Sequence, residues 1–240
     1  MELGFNYSNY PEGFDLKITI LIPAYNEAHS IKEVIRRVKA LDLGYKYEIL
    51  VVDDGSTDET SEVVKNINNV RLITHKMNKG KGAALKTGFK AANGDIVVIQ
   101  DADMEYLPKD IPSLIKPLIE GKADVVYGSR FKGKLYGMTF SHALGNLGLT
   151  LATSLLFGTR VTDMMTGYKI FRKYVLENIN IQADRFEVEP DITGRILQNG
   201  YRLVELPIEY HKRKKGKAKI SKLDGVRSLI WLLKLRLRLH

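Results

Sequence analysis

The chain has 240 residues, of which 44% are hydrophobic and 27% are charged. This length and this balance predict one globular domain with a substantial core and exclude a disordered chain. Because the sequence contains no cysteine, disulfide bonds, Cys-ligated metal sites and a thiolate nucleophile are excluded, and a reducing cytoplasm is the expected location.

The net charge of +9 is carried by the C-terminal end of the chain. Residues 211–240 contain eleven Lys or Arg and one acid, Asp224, whereas the rest of the chain has a net charge of −1. Such a basic segment predicts an anionic partner: a phosphate ester, an anionic lipid head group or a nucleic acid.

Short β-branched runs alternate with helical patterns over the first half of the chain. Residues 1–15 carry no secretory signal and are expected to be a lead-in segment. The predicted strands are 18–22, 48–52, 70–74, 96–99 and 125–127, and the predicted helices are 30–41, 58–67, 82–92 and 111–120, with Ser30 and Asp58 as N-caps. This alternation predicts an α/β domain whose mostly parallel sheet is covered by helices on both faces.

The regular alternation of strand and helix patterns ends after residue 128. We predict a helix over 141–157, a short strand in YKIF (168–171), a helix near 189–198, a strand over 202–210 and a final helix from about Asp224. No apolar run reaches the length of about 18 residues that spans a bilayer. The nearest, 143–157, contains four polar residues, so we expect a helix packed on the domain.

Acidic residues follow three of the predicted strands, at the sheet edge where ligands bind in open α/β folds. The loops read PAYNE (23–27), DDGSTD (53–58) and QDAD (100–103). Asp101 and Asp103 are spaced so that both carboxylates can face one Mg²⁺ or Mn²⁺ ion that also holds a diphosphate. A DxD triplet alone is more often only a polar turn, but the second acidic loop favours a metal site.

The other residues of these loops each allow a binding role or a structural one. Asp54 is favoured as the partner of a base or ribose, and Asp53 as the residue that orients the turn. Glu27 either contacts a ribose hydroxyl or stabilises the N-terminus of the following helix. Pro23 and Tyr25 either pack beside a nucleoside or belong to the core.

The run NKGKG (78–82) places Lys79 and Lys81 at the positive end of the third predicted helix. Such a position favours anions, and a solvated loop is the equal alternative.

A set of motifs occurs in a fixed order between about Ile18 and Lys222: ILIPAYNE, ILVVDDGSTD, NKGKGAAL, VIQDADMEY, VVYGSRF, TDMMTGYK, RFEVEPDI and ELPIEY. Together they resemble the family 2 glycosyltransferases of the GT-A fold, and within that family the dolichyl- or polyprenyl-phosphate mannosyl- and glucosyltransferases. The resemblance implies a Rossmann-like GT-A domain at 16–222, with a nucleotide half at about 16–128 and an acceptor half at about 129–222. A basic amphipathic helix would follow at 223–240.

The implied activity is inverting, metal-dependent transfer of a hexose from a nucleotide sugar of the GDP-mannose or UDP-glucose type to a polyprenyl or dolichyl phosphate. The alternative acceptor is a saccharide hydroxyl. The resemblance places nucleotide-sugar contacts at Pro23, Tyr25, Glu27, Asp54, Lys81, Asp101, Ala102, Asp103, Arg213 and Lys219. It places the divalent metal, Mg²⁺ or Mn²⁺, at Asp101, Asp103 and Glu105, the last standing where some relatives have Gln.

Arg130 matches an arginine that relatives direct at the acceptor phosphate or the donor, and with Asp103 it is the implied catalytic residue. Its alternative role is a surface cation. The resemblance also implies a basic loop that closes over the diphosphate, for which a solvated charge run is the alternative: Arg213, Lys214, Lys217 and Lys219.

A phosphate acceptor is already ionised and needs no strong base, whereas a hydroxyl acceptor needs one. The candidate bases are Asp163, Glu189 and Asp191. Each has a structural alternative, as a helix cap or at the start of a helix.

The final segment places apolar residues at helical spacing among basic ones: Val226, Leu229, Ile230, Leu233 and Leu237. This helix either lies on an anionic membrane, at its cytoplasmic face, or packs on the sheet or on another subunit. Many relatives carry C-terminal membrane spans that this sequence lacks, so integral anchorage is in doubt.

Two other classes of function are disfavoured. A nucleotidyltransferase would carry a Gly-rich loop where PAYNE stands, and a nucleic-acid binder that used the basic tail would leave the acidic loops unexplained. No nucleic-acid partner is therefore expected.

Overall fold

The computed structural model describes residues 15–213 and 222–237, where strands and helices alternate. The strands are β1 Lys17–Ala24, β2 Lys46–Asp53, β3 Arg71–Thr74, β4 Ile96–Ile99, β5 Val125–Tyr136, β6 Lys169–Arg172 and β7 Leu203–His211. The helices are α1 Ile31–Lys39, α2 Thr60–Lys65, α3 Lys81–Ala91, α4 Ile111–Ile119, α5 Phe140–Phe157, α6 Lys173–Asn178, α7 Val188–Gln198 and α8 Lys222–Leu237, with a short 3₁₀ turn, Pro108–Asp110, before α4. The predicted lead-in segment lies almost entirely outside the described residues.

One sheet holds these strands in the order β3–β2–β1–β4–β6–β5–β7. β1 pairs in parallel with β2 and β4, β2 with β3, and β5 with β7. Among the described strands only β6 is reversed, and it pairs antiparallel with both β4 and β5. The prediction of a mostly parallel α/β sheet in a single domain is confirmed.

Helices cover both faces of the sheet because its central strands are apolar on both sides. All residues of β4 are buried. Adjacent residues of a strand point to opposite faces, so Ile20 of β1 packs in the cluster that contains Val34 of α1, whereas Leu21 packs with Leu85 of α3 and Ile192 of α7. Two cores, one on each face, hold the sheet edge in place.

Some local predictions differ from the structure. β5 continues past residue 127, because after an irregularity between Ser129 and Lys134 its exposed end pairs with β7. That stretch has no apolar alternation by which a strand could be recognised. Ser30 is the N-cap residue of α1, as predicted, although its hydroxyl donates to Glu27 and makes no capping bond to the helix. The prediction of Asp58 as an N-cap is wrong, because α2 begins at residue 60 after the N-cap Glu59, and Asp58 accepts the N–H of residue 60 at 3.0 Å.

The helix predicted over 141–157 is present as α5, but the expectation that it is fully packed is wrong. It contacts α7 and α8, yet it leaves a row of large apolar side chains exposed: Phe140, Leu144, Leu147, Leu151 and Leu155. α8 presents a second row: Leu223, Val226, Leu229, Ile230, Leu233 and Leu237. Within 15–213 and 222–237, no helix is both long enough and apolar enough to cross a membrane.

Two helical glycines give a matched test of this packing. A Cβ on Gly82 of α3 would lie 2.3 Å from the carbonyl oxygen of Ala183, whereas nothing lies within 4 Å of a Cβ on Gly145 of α5. We expect Gly82→Ala to lower the free energy of unfolding by about 1–3 kcal/mol, because main chain must move. Gly145→Ala should leave it unchanged or raise it by up to about 1 kcal/mol. Urea unfolding of both variants measures the difference, and equal stabilities would contradict the packing of α3.

Candidate active site

The acidic loops meet at one edge of the sheet because β2, β1 and β4 are parallel neighbours whose carboxyl ends point the same way. β6 runs in the opposite direction, so the segment that precedes it reaches the same edge. Gly167 of that segment leaves no room for a side chain, because a Cβ at this position would lie 2.1 Å from Asp101 Oδ2. The reversed strand therefore brings residues 163–169 against the predicted metal loop.

The first charged group of the site centres on Lys81, the first residue of α3. Its Nζ lies 2.9 Å from Asp101 Oδ1 and 3.0 Å from Glu189 Oε1. Lys169, which is fully buried, also pairs with Glu189 and donates to two main-chain carbonyl oxygens. Two carboxylates and two ammonium groups thus form one buried network.

Burial and the neighbouring charges shift the pKa of three members of this network. For Lys169 burial prevails and lowers the pKa, although the charge of Glu189 opposes it. Burial alone would lower the pKa of Lys81, but the carboxylates of Asp101 and Glu189 outweigh burial and raise it. Burial would raise the pKa of Glu189, but the positive charges of Lys169 and Lys81 lower it below its ordinary value. Glu189 is therefore held as a carboxylate with little affinity for a proton.

The second Asp of the DxD triplet faces a different cation. Arg213 donates from Nη2 to Asp103 Oδ2 at 2.5 Å and from Nε to Glu105 Oε1 at 2.9 Å. Burial, together with the negative charges of Asp101 and Glu105, raises the pKa of Asp103 to about 7. Carboxylates gathered so closely favour a positive charge between them.

The predicted metal triad of Asp101, Asp103 and Glu105 is not assembled as such. In the described part of the chain no group of three or more His, Asp or Glu side chains is arranged to hold a metal ion. Asp101 faces Lys81, while Asp103 and Glu105 converge on Arg213. Mg²⁺ in nucleotide sites usually takes only one or two carboxylates and completes its shell with water and phosphate oxygens, so Asp103 and Glu105 fit such an ion.

Arg130 forms a two-pronged ion pair with Asp163. Nε and Nη2 each donate to the carboxylate at 2.7 Å, and the main-chain N–H of Arg130 donates to it at 2.9 Å. Arg130 is 6% exposed, so its alternative role as a surface cation is wrong. Burial would lower the pKa of Arg130, but Tyr106 and Asp163 raise it. The guanidinium is therefore charged, and its hydrogen bonds to Asp163 fix its orientation.

Asp191, the third candidate base, organises the turn before α7. Its carboxylate accepts the N–H groups of Gln182 and Ala183 at 2.6 and 2.9 Å and the Nε–H of Arg195 at 2.6 Å. These contacts fit the structural role that the sequence allowed for Asp191, at the start of a helix.

Asp54 is buried beneath the 75–80 loop, and that loop supplies its hydrogen bonds. The carboxylate accepts the N–H of Gly80 at 2.7 Å and that of Lys79 at 3.0 Å, and it pairs with His75 at 2.7 Å. Asp53 accepts the N–H of Ser56 at 3.0 Å, as expected for a residue that orients its turn. Contact of Asp54 with a nucleoside stays a prediction.

The remaining predicted residues take varied positions. Pro23 and Tyr25 are half-buried at the end of β1, and Glu27 is buried and accepts the Ser30 hydroxyl at 2.8 Å. Ala102 packs in the core. Part of the predicted basic loop lies outside the described residues: Lys214, Lys217 and Lys219.

Sequence reasoning missed Gly167 and Lys169 as members of the site. Both stand in TGYK (166–169), a motif that the ordered set contains. The available signal was a lysine at the start of an apolar strand, since a buried lysine requires a carboxylate partner.

Comparison with known proteins places the chain in a family. The sequence profile described as Glycosyl transferase family 2 matches residues 19–179. The chain is 36% identical over 200 residues to an uncharacterized protein of Methanocaldococcus jannaschii, covering 80% of this chain and 81% of that one.

Two relatives carry functional names. The UDP-N-acetylglucosamine–dolichyl-phosphate N-acetylglucosaminyltransferase of Methanococcus voltae is 35% identical over 219 residues, with 81% of this chain and 86% of that enzyme covered. The dolichol-phosphate mannosyltransferase of Pyrococcus furiosus is 30% identical over 214 residues, which cover 86% of this chain but only 60% of that enzyme.

Among solved structures, the glucosyl-3-phosphoglycerate synthase of Mycobacterium tuberculosis, in complex with Mn²⁺, UDP and glucosyl-3-phosphoglycerate, superposes with a TM-score of 0.73. The two sequences are 23% identical, and the match covers 92% of this chain and 80% of that one. This likeness establishes a shared fold and confirms the expected GT-A architecture. Since the family profile covers more than half of the sequence, the chain belongs to glycosyl transferase family 2.

Proposed function

We propose that this protein transfers a hexose, with inversion, from a nucleotide sugar of the GDP-mannose or UDP-glucose type to a polyprenyl or dolichyl phosphate, with the help of Mg²⁺ or Mn²⁺. One observation carries the choice of acceptor. Each of the three candidate bases is paired with at least one cation: Asp163 with Arg130, Asp191 with Arg195, and Glu189 with Lys81 and Lys169.

This pairing favours a phosphate acceptor over a saccharide hydroxyl. A hydroxyl must lose its proton as it attacks, and a carboxylate whose oxygens are already engaged by a fixed cation is poorly placed to receive it. A phosphate monoester is ionised at neutral pH and attacks without a base. Arg130 supplies a guanidinium whose Nε and Nη2 are engaged by Asp163, which fixes its direction, so its remaining N–H groups would donate to a phosphate oxygen.

The donor side requires compensation of negative charge. The bond that breaks joins the anomeric carbon to the diphosphate, and charge develops on the leaving oxygen. Asp103 and Glu105 would hold the divalent ion, which neutralises that charge when bound. Lys81 adds a fixed positive charge at the N-terminus of α3, where Asp101 and Glu189 keep it in place.

The named relatives support this assignment. Both dolichyl-phosphate enzymes have names that specify a lipid phosphate, and the mycobacterial synthase was crystallised with Mn²⁺ and UDP, or with Mg²⁺ and UDP. In this proposal the nucleotide half, 16–128, contributes the donor loops, and the acceptor half, 129–222, contributes Arg130 and α5.

We propose further that α5 and α8 rest on an anionic membrane, where a lipid acceptor resides. Their exposed apolar rows lie on two helices that contact each other. Exposed basic residues of α8 stand beside its row: Arg227, Lys234 and Arg236. Apolar insertion together with attraction to anionic head groups is the usual basis of peripheral binding.

The proposed reaction predicts turnover that depends on three things at once. Release of nucleoside diphosphate from GDP-mannose or UDP-glucose should require a short polyprenyl phosphate, a divalent ion and Asp103. Asp103→Asn should reduce kcat about 100-fold or more, because charge on the leaving oxygen loses its compensation. Glu120→Gln, which removes an exposed acid at the end of α4, is the matched control and should leave the rate unchanged.

Turnover with a saccharide and none with the lipid phosphate would replace the proposed acceptor. Turnover in the presence of a metal chelator would remove the metal from the proposal.

The proposed membrane surface predicts vesicle binding that depends on α5. We expect the double variant Leu144→Ser/Leu151→Ser to bind vesicles containing phosphatidylglycerol at least about tenfold more weakly, because two large side chains no longer enter the lipid. Tyr45→Ser removes an exposed aromatic side chain before β2 and serves as the control. Cosedimentation at low and high salt measures the effect, and equal binding by the double variant and wild type would overturn this surface.

A further inference from the structure

Arg213 occupies an unusual position for a residue of a basic segment. Of the four side chains involved, Arg213 and Asp103 are each 14% exposed, Glu105 is 21% exposed, and Glu27 is 4% exposed. The guanidinium binds Asp103 and Glu105, and its Nη1 lies 3.8 Å from Glu27 Oε1. One cation is thus inserted among three carboxylates.

The main chain that precedes Arg213 is anchored, and this fixes the place from which the guanidinium extends. The N–H of His211 donates to the Glu105 carbonyl oxygen at 2.9 Å, and the N–H of Lys212 donates to the Tyr136 carbonyl oxygen at 2.9 Å. The end of β7 is therefore fastened to the loop that carries Asp103. Only the side chain of Arg213 has to move for the carboxylates to change partner.

A divalent ion and this guanidinium would compete for the same two carboxylates. Arg213 engages Asp103 Oδ2 at 2.5 Å and Glu105 Oε1 at 2.9 Å, and Asp103 Oδ1 already accepts the N–H of Glu105 at 3.0 Å. Asp103 and Glu105 would therefore hold an ion in the place that the guanidinium occupies. Two cations in one place also repel each other at short range. Binding of the ion and pairing of Arg213 with these residues therefore exclude one another.

The neighbouring carboxylate is arranged differently. Asp101 is paired with Lys81, and Lys81 is fixed from its other side by Glu189. Within the part of the chain that the structure describes, the carboxylates paired with Arg213 belong to one group, formed by Asp103, Glu105 and Glu27. The exchange of cations is thus confined to one half of the site.

We propose that Arg213 is a built-in competitor for the divalent ion: the ion binds by displacing its guanidinium from Asp103 and Glu105, and the displaced guanidinium is then available to the diphosphate of the donor. Because binding linkages are reciprocal, a diphosphate that engages Arg213 strengthens ion binding, and the ion strengthens diphosphate binding. Metal and nucleotide thereby enter the site together. This inference rests on the metal site of the proposed function.

Binding of Mn²⁺ in the absence of nucleotide, measured by electron paramagnetic resonance of the free ion, tests the competition. Arg213→Gln should bind Mn²⁺ about tenfold more tightly than wild type, because no guanidinium has to be displaced. Arg202→Gln is the matched control, since Arg202 is likewise an arginine paired with a carboxylate, that of Asp124, but stands at the opposite end of β7. It should bind Mn²⁺ as wild type does.

The coupling to nucleotide gives a second readout. In wild type, UDP or GDP should increase Mn²⁺ affinity by a larger factor than in Arg213→Gln, because only wild type regains the cost of displacing the arginine. An equal increase in the two proteins would overturn the proposed exchange.

A spectroscopic measurement separates displacement from a general effect of charge. The Nε–H resonance of Arg213, identified by its loss in Arg213→Lys, should move when Mg²⁺ saturates the full-length protein, while that of Arg202 should stay in place. An unmoved Arg213 resonance at saturating Mg²⁺ would overturn the inference, even if the Mn²⁺ affinities differ. If neither wild type nor Arg213→Gln binds Mn²⁺, the metal in the proposed function fails as well, so the two failures are distinguishable.

Discussion

Neutralisation of carboxylates at one edge of the sheet is the constraint on which the site depends. Parallel strands bring acidic loops together there, and buried or half-buried carboxylates are stable only beside cations or hydrogen-bond donors. The chain supplies those cations from four separate segments: Lys81 from α3, Arg130 from β5, Lys169 from β6 and Arg213 from the end of β7. The active site is in this sense a set of paired charges built into the fold.

The pairs differ in what they leave available for chemistry. Glu189 is paired with two lysines, and Asp163 is paired with the fork of Arg130. Asp103 and Glu105 both bind the guanidinium of Arg213, and a movement of that side chain alone would release them. The paired carboxylates of Glu189 and Asp163 suit an acceptor that is already ionised. The carboxylates of Asp103 and Glu105 suit a donor that binds together with a divalent ion.

Much of the fold could be predicted from the sequence, because buried parallel strands and amphipathic helices have strong periodic signals. The acidic loops could also be placed at one edge, since that follows from strand direction alone. The reversed direction of β6 could not be predicted, because the sequence of a four-residue strand, KIFR, does not indicate its direction in a sheet. For that reason Gly167 and Lys169 were missed, and so were the partners of Glu189.

Other differences have equally local causes. Composition could not distinguish an apolar helix that packs on a domain from α5, whose leucines stay exposed on one side. Nor could the sequence show that Asp101 and Asp103 face different cations, since those cations come from residues 81 and 213. Long-range pairing of charges is a property of the folded chain.

The most direct test of this account is a crystal structure of the protein with Mn²⁺, a nucleoside diphosphate and a short polyprenyl phosphate. The account predicts that Glu189 keeps both lysines, that Arg130 keeps Asp163 and faces the acceptor phosphate, and that Asp103 contacts the metal. A complex in which Glu189 leaves Lys81 and Lys169 and turns toward the acceptor would contradict it, because the enzyme would then contain a general base.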